Sequence, residues 1–151
     1  MPKAIPDGYP SLTPYLSLRD AAKAIEFYKV ALGATEVFRL PMPGGKIAHA
    51  ELQMGDSRLK LADAMPEWGN KSAKDLGGTP VRLCIYTENV DALNERFLKA
   101  GGTQVRPPEN QFFGDRTALV EDPEGYQWLL AQHVEDVSPE EMQRRMEKLG
   151  G

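Results

Sequence analysis

His49 and Glu51 stand two residues apart in AHAEL, and in an extended chain that spacing turns both side chains to the same side. An imidazole titrates near neutral pH and a carboxylate beside it can orient it. The pair is therefore a candidate acid or base, or two ligands of a divalent metal held off any usual site. The structural alternative is a hydrogen-bonded brace that keeps a curved sheet in register. The other histidine, His133, is expected beyond the last strand, which leaves a third strong ligand hard to find.

Two cations are expected on the same side as that pair. Arg82 offers a rigid fork of donors suited to carboxylate or phosphonate, and Lys60 a point charge, so together they invite a small anionic molecule. The alternative is internal pairing, Lys60 with Glu51 on the neighbouring strand and Arg82 with another acid. Cys84 lies close to Arg82 and is either a thiolate stabilised by the guanidinium or an inert space-filler. Tyr15, Tyr86, Phe112 and Phe113 supply apolar walls. The two phenylalanines open FFGDR, where Gly114 permits a tight turn, Asp115 and Arg116 brace the hairpin, and the rings can close over a ligand.

Helices and strands must place these residues. DAAKAIEFYKVALGA carries Asp20 as N-cap, the stripe Ala21, Ala24, Ile25, Tyr28, Ala31, Leu32, and Gly33 as stop. NVDALNERFLKAGG repeats the design with Asn89, then Val90, Leu93, Phe97 and Leu98, then Gly101 and Gly102. An offset of 69 residues aligns Asp20 with Asn89, Tyr28 with Phe97, Gly33 with Gly102, Gly45 with Gly114 and Leu61 with Leu130. One strand signal precedes each helix and three follow it. Alternation predicts one apolar face from Leu12, Leu16, Leu18, Leu59, Leu61, Leu83, Ile85, Trp128 and Leu130. The opposite face holds Thr13, Tyr15, Ser17, His49, Glu51, Lys60, Ala62, Arg82, Cys84, Tyr86, Gln127, Leu129 and Ala131. It is too polar for a core and too aromatic for plain surface, which suggests a cavity.

The expected fold is α+β: tandem βαβββ modules forming one curved, barrel-like sheet around a cavity, in a single domain. Module 1 covers about 11–65 and module 2 about 79–133, with a surface linker at 66–78. A helix at 138–149 follows, opened by a capping box of Ser138, Pro139 and Glu141. Its stripe of Met142, Met146 and Leu149 docks on its own domain or on a second subunit.

Composition narrows the function. The net charge of -4 provides no positive field for nucleic acid, and 41% hydrophobic residues with 26% charged suits a folded globular chain. No run approaches the ~18 apolar residues of a membrane span. One cysteine makes no intramolecular disulfide, and MPKAIPDGYP lacks a signal peptide's apolar stretch, so the cytoplasm is expected.

Four motifs in order, AAKAIEFYKVALGATEVFR, KIAHAELQMGDSRLKLADAMPE, FFGDRTALVEDPEGYQW and HVEDVSPEEMQRRM, give the chain its resemblance to the vicinal oxygen chelate superfamily of glyoxalases, bleomycin-resistance proteins and extradiol dioxygenases. It looks closest to the PhnB-like branch, across nearly all of residues 11 to 146. The resemblance implies metal ligands on the first and last strand of each module, at Thr13, Lys60, Arg82 and Leu129. A divalent ion asks for carboxylate or imidazole donors. Two cations repel it instead, by about 4 kcal/mol per pair at ~4 Å and an effective dielectric near 20. In Cys84 this chain also departs from the histidine common at that position among PhnB-like relatives. No metal or other cofactor is expected at the superfamily site. Two functions follow as expectations: a metal-independent binding protein for a small molecule, or a lyase or isomerase using His49 and Glu51. The superfamily's habit of pairing makes a homodimer the expected assembly.

Overall fold

In the computed structural model, which describes residues 1–150, the strand–helix–three-strand unit occurs twice and a helix follows. α1 spans Ala21–Leu32 because its ends and its stripe agree. The Asp20 carboxylate accepts the Lys23 N–H, Gly33 adopts the left-handed conformation at φ 68°, and Ala21, Ala24, Ile25, Phe27, Tyr28 and Ala31 are buried between them. Strands β1 (Tyr15–Leu18), β2 (Thr35–Pro41), β3 (Ile47–Met54) and β4 (Ser57–Asp63) form a mixed sheet in the order β1-β4-β3-β2, with β1 parallel to β4. Leu16, Leu18, Ala50, Leu52, Leu59 and Leu61 are buried along one face, with Ile25 and Tyr28 of α1.

The second module repeats the arrangement with β5 (Arg82–Tyr86), α3 (Val90–Lys99), β6 (Thr103–Asn110), β7 (Asp115–Glu121) and β8 (Gln127–His133), in the order β5-β8-β7-β6. Val90, Phe97, Ala118, Val120, Trp128 and Leu130 are its core. Pro107 and Pro108 are tolerated because β6 is an edge strand, where two donors can be missing, and the register shifts between Arg106 and Glu109. The α+β expectation holds, in the form of two four-stranded sheets that strand pairing does not close into a barrel.

The chain divides into two compact units. The first is Met1–Pro80 together with Pro123–Gly125, and the second is residues 81–122 with 126 onward. The turn at 123–125 belongs to the first unit through Glu124. Its two carboxylate oxygens accept the backbone N–H groups of Arg19, at 2.8 Å, and Asp20, at 3.0 Å. The end of the fourth strand anchors the helix in both modules: Asp63, the last residue of β4, accepts the Ala21 N–H, and Gln132, one residue before the end of β8, accepts the Val90 N–H.

Several expectations are corrected. Leu12 precedes β1 and is 83% exposed, outside the core face it was expected to join. Leu83 and Ile85 are half-buried. The linker at 66–78 contains a 3-10 turn at Pro66–Trp68 and the short helix α2 (Ala73–Leu76). A capping box between Ser72 and Asp75 shapes it, Ser72 and Ala73 are buried, and Arg19 pairs with Asp75 at 3.0 Å. α4 (Pro139–Gly150) starts on its expected Ser138 cap but buries nothing, and Met146 and Leu149 are exposed. Polar contacts hold it: Arg145 donates to the Phe112 carbonyl at 2.9 Å and pairs with Glu135 at 3.0 Å. No helix among the described residues is long and apolar enough to cross a membrane.

Candidate functional site

The face of the first sheet opposite its core carries an ordered row. Tyr15 pairs with Lys60, Lys60 with Glu51 and Glu51 with Phe38, one residue from each strand. His49, two residues before Glu51 on β3, lies on the same face opposite Leu40. Strand alternation predicts this grouping of Tyr15, His49, Glu51 and Lys60, and the register supplies Phe38 and Leu40. Tyr15, Phe38 and Leu40 are exposed, at 54%, 45% and 55%. Glu51 is buried at 6%.

Three of these side chains form a hydrogen-bonded chain. Tyr15 Oη lies 2.8 Å from His49 Nδ1, and His49 Nε2 lies 2.8 Å from Glu51 Oε2. A carboxylate oxygen accepts, so Nε2 carries the proton, and Nδ1 then accepts from the tyrosine hydroxyl. Burial, with the Lys60 ammonium second, holds His49 below the ordinary histidine range, which favours this neutral form. Burial also pushes the Tyr15 hydroxyl up. Tyr15 and Phe38 set their rings 5.3 and 5.6 Å from the imidazole. His49 and Glu51 are therefore hydrogen-bonded to each other, in a chain of side chains whose outer end is Tyr15. The other oxygen of Glu51, Oε1, is buried without a hydrogen-bond partner.

Lys60 does not take Glu51 as its counter-ion: His49 holds one oxygen of that carboxylate and the other has no hydrogen-bond partner. Among the described residues Lys60 has no ion pair, and its ammonium lies 5.5 Å from the ring of Tyr9. Arg58, two residues earlier on β4, lies 4.9 Å from the same ring. Sequence reasoning missed both Arg58 and Tyr9. Arg58 was legible, since it shares the alternation of Lys60. Tyr9 was not, because it precedes β1 and no periodicity places it.

Apart from Thr13, the remaining candidates lie on the second unit. Arg82 pairs in register with Gln127 and Cys84 with Leu129 on the face opposite its core. Arg82 donates to Gln127 Oε1 at 3.3 Å, and no carboxylate lies within ion-pair distance of it among the described residues. Cys84 is exposed, and partial desolvation, with Asp115 second, pushes its thiol up, so Arg82 does not make it a thiolate. Tyr86 donates to buried Asp115 at 2.6 Å, and Asp115 also meets His133 Nδ1 at 2.9 Å. His133 closes β8 instead of lying beyond it, and its Nε2 lies 2.7 Å from Asp136. An open depression is lined by Tyr86, Thr87, Glu88, Gln132 and His133. Asp115 and Arg116 do not pair with each other; Arg116 donates to Asn110 Oδ1 across the β6–β7 hairpin at 3.2 Å and pairs with Asp91 at 2.9 Å. Phe112 and Phe113 are half-buried and meet edge to face at 5.3 Å.

The positions that would hold a superfamily metal carry a half-buried hydroxyl at Thr13, an ammonium at Lys60, a guanidinium at Arg82 and methyl groups at Leu129. None is a good donor, and the described residues contain no group of three or more His, Cys, Asp or Glu placed to hold a metal. The residues present do not fit a divalent cation there.

A family model for the Glyoxalase/Bleomycin resistance protein/Dioxygenase superfamily matches residues 14–130. Protein Mb0911c of Mycobacterium bovis is 42% identical over 144 residues, covering 93% of this chain and 95% of that protein. Among solved structures, TioX from Micromonospora sp. ML1 is similar with a TM-score of 0.66 and 26% identity, over 82% of this chain and 98% of that one. The product of Arabidopsis thaliana AT5G48480 is similar with a TM-score of 0.68 and 25% identity, over the same shares of the two chains.

Proposed function

The chain belongs to the Glyoxalase/Bleomycin resistance protein/Dioxygenase superfamily, and from that premise we propose that it binds a small anionic molecule without a metal, on the open face of its first sheet. One observation carries this reading: Lys60 stands between Tyr15 and Glu51 on that face with no carboxylate of its own among the described residues. An ammonium left without a counter-ion beside exposed aromatic rings offers charge and apolar wall together. Arg82, with Cys84, Leu129 and Tyr86, is the second candidate surface, and Thr13, Phe112 and Phe113 complete the expected set. FFGDR and the HVEDVSPEEMQRRM tail support the PhnB-like branch, and the exposed stripe of α4 supports a homodimer.

Thermal denaturation with acetate and methylphosphonate tests the reading. Either probe at 100 times its Kd stabilises the wild type by about 2.7 kcal/mol, and Lys60→Gln loses the effect. An equal shift in Lys60→Gln removes Lys60 from the site, and loss in Arg82→Gln alone moves the site to the second unit.

The Tyr15–His49–Glu51 chain favours a second reading, an enzyme of lyase or isomerase type. Tyr15 takes a proton from a carbon acid and passes its own to His49 Nδ1, and His49 passes one from Nε2 to Glu51. Deuterium exchange into small carbonyl acids, catalysed by the wild type and lost in His49→Gln and Tyr15→Phe, is the expected signature. Exchange that survives both substitutions defeats it.

A further inference from the structure

The open face of the first sheet holds a second cation that the reading above does not use. Arg58 and Lys60 alternate on β4 and point to the same side, and neither has a carboxylate partner among the described residues. What they share is the face of one ring. Tyr9 lies 4.9 Å from the guanidinium and 5.5 Å from the ammonium. The segment before β1 is held there by Arg58 itself, whose Nε donates to the Gly8 carbonyl at 3.4 Å. The backbone comes so close that a Cβ on Gly8 would lie 2.7 Å from Arg58 Nη2, and Gly8 has φ 85°. A ring quadrupole is a weak substitute for a full negative charge.

Two buried polar atoms on this face lack partners: Arg58 Nη1, a donor, and Glu51 Oε1, an acceptor. The register places them near each other, since Glu51 pairs with Lys60 and Gln53 with Arg58. Diagonal positions of neighbouring strands are about 7–8 Å apart, within reach of these long side chains from either end of a small molecule.

We propose that Arg58 and Lys60 together form an oxyanion-binding site covered by Tyr9, for a small carboxylate or phosphonate whose hydroxyl, one carbon away, donates to Glu51 Oε1. The anion takes the place of the tyrosine ring over the two cations. The Gly8–Tyr9 segment is then a strap that moves aside for the ligand. The proposal rests on the reading of Lys60 as an anion anchor and adds the second cation, the cover and the ligand's hydroxyl.

Titration calorimetry with acetate, glycolate, methylphosphonate and hydroxymethylphosphonate tests it on the full chain. Glycolate and hydroxymethylphosphonate differ from the other two by one hydroxyl, and carboxylate against phosphonate separates the two sources of the anion. Hydroxylated probes are expected to bind about fivefold or more tighter than their plain analogues. Arg58→Gln is expected to weaken binding about tenfold, with Arg58→Lys recovering part of it. Tyr9→Ala is expected to tighten binding a few-fold, because the competing ring is gone. Arg58→Lys and Tyr9→Ala carry the test if Arg58→Gln does not fold. Affinity unchanged in Arg58→Gln and Arg58→Lys but lost in Lys60→Gln overturns this inference and leaves the Lys60 reading standing. Weaker binding in Tyr9→Ala overturns the strap, and equal affinity for plain and hydroxylated probes overturns the role of Glu51. No binding of any probe to the wild type overturns both the inference and the reading it rests on.

Discussion

The carboxylate of Asp63 accepts the backbone N–H of Ala21 at 2.9 Å, joining the end of β4 to the first turn of α1. Its other oxygen accepts the Ile47 N–H at 2.6 Å, where β3 begins. Asp63 is 5% exposed, so neither donor has water to turn to when the acceptor is removed. Asp63→Ala is expected to cost about 3 kcal/mol or more in urea denaturation. Gln132 in the second module holds one such donor, Val90 N–H at 3.0 Å, and Gln132→Ala is expected to cost about 1 kcal/mol. Equal losses would show that the second bond of Asp63 contributes nothing.

The two histidines should pull the pH dependence of stability in opposite directions. His49 is held below its ordinary value by burial first and Lys60 second. The unfolded chain therefore binds the proton more readily, and the stability due to His49 is full above that ordinary value and lost as pH falls below it. His133 is raised by its bond to Asp136 first and to Asp115 second. Its contribution is full below the ordinary value and lost as pH rises through the folded one. Between about pH 5 and 8, melting temperature should rise with pH in His133→Gln and fall with pH in His49→Gln. The same slope in both variants would contradict these assignments.

Gly114 sits at φ 104°, and a Cβ there would run into the carbonyl oxygen of Glu135. Its own carbonyl accepts Val134 N–H at 2.9 Å and Glu135 N–H at 3.0 Å, so the turn and the segment leading to α4 are fixed together. Gly114→Ala should cost about 2–3 kcal/mol and speed amide exchange through α4. Gly45→Ala, also at positive φ but with nothing within 4 Å of its Cβ, should cost only about 1 kcal/mol. Matching losses at the two sites would rule out the collision.

Local signals in the sequence carried most of the fold. Asp20 and Asn89 cap their helices as their positions suggest, and both central strands of each sheet begin within a residue of the expected segments. The single offset of 69 residues was too simple. It holds from Ala21 to Val90 and from Lys60 to Leu129, but Thr35 aligns with Thr103 and Glu51 with Leu119, an offset of 68. α3 is two residues shorter than α1 and the loop after it one residue longer, a net loss of one that the longer β7–β8 turn restores. Since side chains alternate along a strand, pairing His49 with Ala118 by the first offset matches residues on opposite faces.

At the site, alternation was enough to bring Tyr15, His49, Glu51 and Lys60 to one face. It did not decide which partner Glu51 takes, because His49 and Lys60 were both within reach and only side-chain geometry distinguishes them. Asn94 is a similar case. It is buried within α3 and exchanges hydrogen bonds with Gln104 at 2.8 and 3.0 Å, a pairing across two elements that no spacing in either segment announces.

Glu124 has a bearing on the order in which the protein is made. A nascent chain of 80 residues already contains α1 and all four strands of the first sheet. The acceptors for Arg19 and Asp20, however, reach the ribosome's exit only with the last hairpin. Vectorial synthesis thus delivers the first sheet and its helix unfinished, and their completion waits until more than a hundred further residues have followed Asp20.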